Sequence, residues 1–248
     1  MMKRISEGRI AAMWMVVTEA LVALALILVA EGTEGTDTND VYSPCLDAKI
    51  QRSDGFTFGV VFSSKELFFQ DNIQFSPCDK RQALTFKVAQ LAVFRPKVDQ
   101  LTFLTINSTA FNPATYDGYM VAFAGLKYAA RSLPVMVTDN AHTITSFTLV
   151  FEFQKSTLQN LFWKKFGCDK CSGDFSTCLD KQDCAVPSSK CKYNGGSIDC
   201  NLGIQLAFSG TDKNLQVLDS WFEVNHLRRF SLYKLFSDVR DKITNLFQ

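Results

Sequence analysis

The chain has 248 residues, with 26 Lys and Arg against 25 Asp and Glu, a formal net charge of +1. That balance argues against a duplex nucleic-acid binder, which needs a concentrated basic footprint, and gives no basis for attraction to an anionic membrane. The length suits one sizeable domain, and 22 phenylalanines supply material for its core.

Lys3, Arg4 and Arg9 precede an apolar run, Ala20 to Ala30, and Ala30-Glu31-Gly32 places small residues ahead of a cut before Thr33. This is the pattern of a secretory signal peptide over residues 1–32. The run is shorter than the ~20 residues that cross a bilayer. Joined to Ile10–Val17 across Glu19 it reaches about twenty, so an uncleaved anchor in the endomembrane system is the alternative. A membrane enters the reading only through that alternative. The leader holds three basic and three acidic residues, so cleavage leaves the charge balance unchanged. Residues 33–44 are polar, acidic and turn-rich and read as a flexible lead-in to a single β-rich domain over 45–248.

Period-two patterns follow. Phe56, Phe58, Val60 and Phe62 share one face of a strand over Gly55–Phe62. Leu67–Phe75 is apolar and ends at Pro77-Cys78-Asp79. Leu84–Phe94 alternates with a slip near Ala89-Gln90, which predicts a bulge, and Arg95-Pro96 closes it. Leu101–Ile106 is a short strand running into Asn107-Ser108-Thr109, an N-glycosylation sequon that makes Asn107 a candidate attachment site. Tyr119–Tyr128 reads as a strand in which Gly125 marks a bulge or a close backbone approach. Val135–Thr138 is a short strand, and His142–Phe153 is the clearest one, with Phe147, Leu149, Phe151 and Phe153 on one face. Leu158–Phe166 leads into the cysteines, and Leu202, Ile204, Leu206 and Phe208 alternate after them. The period then changes. Leu232, Leu235, Phe236, Val239, Ile243 and Leu246 fit an amphipathic helix over about 226–247. The fold class is therefore mainly β: an antiparallel sandwich or barrel-like domain with a disulfide-rich loop segment and a C-terminal amphipathic helix.

Six of the eight cysteines, Cys168, Cys171, Cys178, Cys184, Cys191 and Cys200, fall in one segment with few large apolar side chains. Such a segment cannot order itself by burial and needs a covalent hold. An even count behind a leader reads as four disulfides. Cys45 and Cys78, away from the cluster, pair with each other, and sequence leaves the pairing of the other six open. Zinc is the alternative at Cys168-x-x-Cys171, but no histidine lies in the segment. Oxygen ligands from Asp169, Asp174, Asp180, Asp183 and Asp199 raise calcium, without EF-hand spacing.

Catalytic patterns are scarce. The two histidines, His142 and His226, lie in no nucleophile context, and no HExxH, P-loop or GxGxxG occurs, so no cofactor is expected. A carboxylate pair drawn from Asp54, Asp71, Asp99, Asp117 and Glu152 could hydrolyse a glycoside if held about 5–10 Å apart across a cleft. Tyr116, Tyr119, Trp163, Tyr193 and Trp221 are the aromatic candidates for stacking on sugar rings.

The stretches LFFQDNIQFSPCDKR (67–81), AQLAVFRPKVDQL (89–101), YMVAFAGLKYAARSLP (119–134), SFTLVFEFQKSTLQNLFWKKFGC (146–168), GSIDCNLGIQLAFSGTDK (196–213) and SLYKLFSDVRD (231–241) resemble a plant-restricted family of secretory proteins labelled "Expp" precursors. The resemblance covers nearly all of the mature chain. It implies export through the plant secretory pathway to the apoplast, and no activity. An expansin-like His-Phe-Asp motif is not present. Two functions from different classes remain. One is a non-catalytic module that binds a cell-wall glycan or an extracellular protein. The other is a glycan-active hydrolase using two carboxylates.

Overall fold

The computed structural model describes residues 37–79, 89–108, 111–127, 130–139, 141–168, 171 and 176–229, with the side chains of 225–229 left aside. The expected leader, the Leu84–Val88 part of the expected Leu84–Phe94 strand, Thr109 and the part of the expected C-terminal helix beyond Arg229 lie outside these residues.

Two sheets pack face to face. The first contains β1 (Phe58–Ser63), β4 (Gln90–Phe94), β6 (Tyr119–Phe123) and β7 (Val135–Met136) in the order β4-β1-β6-β7, all antiparallel. The second is built on β9 (Ser146–Gln154), β10 (Thr157–Trp163) and β13 (Leu202–Thr211). Its order is β10-β9-β13, with β5 (Thr102–Ile106) and β14 (Val217–Leu218) each pairing with β13. The alternating positions read from sequence are the inner faces. Phe56, Phe58, Val60 and Phe62 meet Phe147, Leu149, Phe151, Phe153, Leu202, Ile204, Leu206 and Phe208 in one core. Phe151 lies at its centre, with ring centroids 5.3 Å from Phe56 and 5.1 Å from both Phe58 and Phe208. Edge-to-face and offset pairs of this kind add to what burial alone supplies.

Each sheet carries a further cover on its outer face. Phe68, from a 3-10 turn leading into the hairpin of β2 (Phe69–Gln70) and β3 (Ile73–Gln74), packs on Val61, Val121 and Phe123, and the Cys45–Cys78 disulfide packs beside it. On the second sheet, Val224 of helix α1 (Ser220–Arg229) packs on Val150 and Ala207, with Phe162 and Trp221 at the margin. Two glycines accept rings from neighbouring strands. A Cβ on Gly59 would meet the Phe123 ring at 2.4 Å, and one on Gly203 would meet the Phe103 ring at 2.5 Å. Each ring fills the space that a side chain at its partner position would take.

Four features depart from the sequence reading. His142–Phe153 is two strands: β8 (His142–Ile144) leaves the main sheet before β9 starts. The cysteine segment is not only loops. It forms β11 (Thr177–Leu179) and β12 (Asp183–Pro187), and β8 joins them in a third sheet, β11-β12-β8. β9 and β13 are parallel over eight paired positions inside an otherwise antiparallel scaffold. The last described helix starts at Ser220, ahead of the expected 226. Within β4, Ala92 and Phe94 pair with the inward Val60 and Phe58, which leaves Leu91 and Val93 half-exposed on the outer side.

All eight cysteines are paired: Cys45–Cys78, Cys168–Cys178, Cys171–Cys184 and Cys191–Cys200. Cys178 and Cys184 face each other across the β11–β12 hairpin, so the Cys168-x-x-Cys171 step is tied to both strands at one level.

Candidate functional site

The five aromatic candidates separate into different settings. Trp163 points into the core at 8% exposure, edge-on to Phe147 at 5.7 Å. A register shift between Leu158 and Asn160 puts it there: one extra residue reverses the phase, so Leu161 and Trp163 turn inward and Phe162 outward. Tyr116 is stacked on Phe111 at 5.2 Å beside the core, and Tyr119 packs against the outer cluster of the first sheet. The Tyr193 hydroxyl is 2.6 Å from Thr143 Oγ1. Trp221, half-buried like the three tyrosines, has both an aromatic ring and a cation beside its indole. It sits in the first turn of α1, half-buried, with the Phe166 ring 6.1 Å away and the Lys164 ammonium 5.9 Å from its centroid. Phe222, the next residue, is 69% exposed. This corner joins the end of β10 to the start of α1. It offers an indole face, a phenyl ring and a cation, the groups that bind an apolar ring face with polar edges.

The start of α1 is fixed from below. Asp99 Oδ1 accepts the N–H groups of Asp219 and Ser220, each at 2.8 Å, and the Ser220 hydroxyl accepts the Phe208 N–H at 2.8 Å. Arg52 Nε lies 3.0 Å from Asp99 Oδ2 in an ion pair whose geometry falls short of a hydrogen bond. Burial pushes the Asp99 carboxyl up, and the negative Asp219 adds to this. The Ser220 and Asp219 N–H groups and Arg52 offset it only in part.

Of the other carboxylates proposed for glycoside hydrolysis, Asp54 and Glu152 are engaged by hydrogen bonds, while Asp71 and Asp117 are turn residues. Asp54, fully buried, accepts Thr38 N at 2.8 Å, both of its oxygens contact the Thr38 hydroxyl at 3.0 Å, and Gln51 N donates at 2.8 Å. Asp71 and Asp117 occupy left-handed turn positions, at φ 50° and 56°. Glu152 accepts from Asn160 Nδ2 at 3.2 Å across β9 and β10. Two carboxyls outside that set behave in the same way. Burial raises Asp212, but the N–H groups of Arg52, Gln216 and Asn214 outweigh it and hold the group below the usual range. Asp37 is lowered too. Burial there is overcome by Arg95 and by the N–H groups of Asn39 and Gly55. A shallow depression lined by Leu46, Phe56, Lys127, Thr157 and Leu158 has a single acid, Asp47, whose Oδ1 accepts Leu126 N at 3.0 Å.

In the cysteine segment, Asp183 is bound by Lys165 Nζ at 2.6 Å, Asp199 accepts both nitrogens of Asn201, and Asp180 sits in a left-handed turn. Asp169 and Asp174 lie outside the described residues. Among the described residues, no three His, Cys, Asp or Glu side chains group to hold a metal. His142 Nδ1 is 3.8 Å from Asp139, and the hydroxyl of the nearby Ser188 bonds Thr143 at 2.9 Å and Thr138 at 3.5 Å. His226 lies in α1, its side chain outside those described.

The family model described as Uncharacterised protein DDB_G0273449 matches residues 15–145 and 132–244. The chain belongs to that family. No curated protein and no solved structure matches it. The two matched stretches overlap in the segment that carries β7 and β8, and together they take in both sheets, the cysteine segment and α1. The family's description gives no activity, so the chemistry of the Trp221 corner has to be argued from this chain alone. Sequence reading selected Trp221 and missed Lys164, Phe166 and Phe222. The run Trp163-Lys164-Lys165-Phe166, which alternates aromatic ends with a basic middle, was the available signal.

Proposed function

We propose that the protein is an exported, non-catalytic binding module that presents the Trp221 corner to a cell-wall or extracellular glycan. The observation that carries this reading is the half-buried Trp221 indole with the Phe166 ring 6.1 Å and the Lys164 ammonium 5.9 Å from it, next in sequence to the exposed Phe222. Four disulfides suit an oxidising exterior, which supports export. Of the carboxylates available to a hydrolase, Asp54, Asp99 and Glu152 accept backbone or side-chain donors that tie elements of the fold together. This weighs against the hydrolase reading.

A glycan array probed with the secreted protein tests the proposal. Binding to a defined glycan is expected, with Trp221→Ala weakening it at least about tenfold, the scale of one aromatic contact worth roughly 1.4 kcal/mol. Leu133→Ala, a change at a residue 72% exposed elsewhere, should leave binding alone. Binding untouched by Trp221→Ala would move the site away from this corner. Silence across the array, with an extracellular protein captured in a Trp221-dependent way, would replace the glycan with a protein partner.

A further inference from the structure

We propose that β4 is a self-association edge: two copies of the chain pair β4 with β4, antiparallel, about a two-fold axis at Ala92, and so join their first sheets into one. The inference goes beyond the glycan reading above and stands without it.

β4 ends the first sheet. It pairs with β1 on one side, and among the described strands nothing pairs with its other side. An open edge offers a row of backbone N–H and C=O groups to any extended chain, and folded proteins blunt such edges with charge, proline, a bulge or shortness. The edges at β7, β14 and β10 are blunted in these ways. β7 is two residues long and follows Pro134, β14 is two residues long, and β10 carries the register shift between Leu158 and Asn160. β4 has none of these features. It runs for five residues, Gln90-Leu91-Ala92-Val93-Phe94, pairs regularly with β1, and holds no charge and no proline. Its outer side chains are large and apolar, with Leu91 51% exposed and Val93 48%. The core is open at the same place, since Phe94 packs against it while staying partly exposed.

The pattern of the strand selects a second copy as the occupant. A two-fold axis at Ala92 sets Leu91 of one copy opposite Val93 of the other, twice over, and Gln90 opposite Phe94. Facing residues of an antiparallel pair share one side of the sheet, so the four exposed apolar side chains meet in a single outer patch. On the inner side Ala92 meets its own copy, and two methyl groups fit there without a clash. A two-fold axis also brings every charge near it against its own copy. β4 carries none, and the adjoining Arg95 is engaged within its own chain by Asp37 at 2.7 Å, Val41 O at 2.7 Å and Thr57 Oγ1 at 2.8 Å. β5, which runs into the exposed Asn107, is the other unblunted edge, with Leu101 and Phe103 exposed. The same operation about Leu104 sets Phe103 against Thr105, and the Phe103 ring is already seated on Gly203. β4 is therefore the self-complementary edge.

The axis of such a pairing stands normal to the sheet. Both copies then turn the outer face of the second sheet, and the Trp221 corner with it, the same way, which lets one polymeric ligand engage two sites.

The test is sedimentation of the purified, disulfide-bonded protein from about 1 to 100 μM, the range suited to the small interface of a short strand pair. A reversible monomer–dimer equilibrium is expected. Leu91→Lys, at an exposed position, should weaken the dimer at least about tenfold with the Tm of the monomer unchanged. Adding Val93→Glu to the same chain should restore most of the affinity, because the register sets the introduced lysine of each copy opposite the introduced glutamate of the other. Phe103→Lys should leave dimerisation alone. A chain that stays monomeric across the range, a dimer indifferent to Leu91→Lys, or one broken by Phe103→Lys overturns the proposal. Failure of Val93→Glu to restore what Leu91→Lys removes overturns the register at Ala92 and the proposal with it.

Discussion

Replacing Cys45 and Cys78 together by serine tests what holds the outer layer of the first sheet. The bridge spans a sequence separation of 33. Loop-closure entropy for a ring of that size comes to about 3.7 kcal/mol at 25 °C. The cluster beneath it is small, with Val61, Phe68, Val121 and Phe123 as its buried members and both cysteines packed at its margin. Serine therefore removes apolar contact as well as the crosslink. The local hydrogen bonds survive: Cys45 N on Ser43 Oγ and Cys78 N on Ser76 Oγ, each at 3.2 Å, and Gly125 N on Pro44 O at 2.7 Å. The expected loss is about 3–4.5 kcal/mol, or a Tm lower by about 6–18 °C for a domain of this length. Equilibrium unfolding in guanidinium measures it. The denaturant slope should rise, because the unfolded chain without the crosslink exposes more surface. A loss under about 1 kcal/mol with an unchanged slope would refute the reasoning, since burial of Phe68 and its neighbours would then hold the layer without help.

Gly59→Ala should cost about 1–3 kcal/mol, because its Cβ meets the buried Phe123 ring. Phe123→Leu in the same chain should recover part of that in a double-mutant cycle, and strictly additive costs would refute the contact. Thr143→Val removes a hydroxyl bonded to Thr138 at 3.0 Å, Ser188 at 2.9 Å and Tyr193 at 2.6 Å, and should cost about 1–3 kcal/mol in chemical denaturation; parent-like stability would show that the network is not needed. On acidification, Asp37 and Asp212 act together. Both are lowered in the fold, so their contribution is present above the unfolded carboxyl value of about 3.9 and is lost as pH falls through their folded values. Asp99 is raised, so its contribution has the opposite sign, present at low pH and lost as pH rises. Unfolding free energy should therefore fall below about pH 4, and Asp212→Asn should flatten that fall; an identical acid limb in the variant would contradict the assignment. Under graded reductant, Cys178 is exposed while Cys191 and Cys200 are fully buried, so alkylation mapping should find Cys168–Cys178 opening first and Cys191–Cys200 last. The reverse order would contradict this.

Local period carried the core. Phe56 to Phe62 and Leu202 to Phe208 were legible because every second side chain is large and apolar, and the pleat turns those positions to one side. Pairing over distance was not legible. β9 and β13 are buried on both faces, yet their large apolar side chains still alternate with Thr148, Glu152, Gln205 and Ala207, a period shared by antiparallel strands, so Phe147–Phe153 and Ile204–Phe208 did not announce their parallel pairing. His142–Phe153 looked continuous because the stretch holds no Gly or Pro, although Ile144 lies out of phase with Phe147, three residues on. The partner that draws His142–Ile144 away, Ala185–Pro187, lies about forty residues on, among cysteines that read as loop. Trp163 entered the candidate site because its exposure depends on one extra residue in β10, and the spacing of Leu158 and Leu161, three apart and both buried, was the trace of that bulge.

The cysteine segment shows why covalent staples and a mostly apolar sandwich coexist in one chain. Its own buried side chains are few and small, Ala185 among them, and its interior contact with β8 runs through hydroxyls: Thr138, Thr143, Ser188 and Tyr193. A hydroxyl network is worth little net unless every member is placed, because an unmatched buried hydroxyl costs more than a matched one returns. Three disulfides fix the segment's backbone in advance. Cys191–Cys200 closes the 3-10 turns that carry Ser188 and Tyr193, and the Cys178 and Cys184 bridges hold the hairpin that presents Ala185–Pro187 to β8. The network then forms at little further entropic cost. Its integrity should follow the redox state of the cysteines, whereas the phenylalanine core should keep its packing when the same bridges are cut.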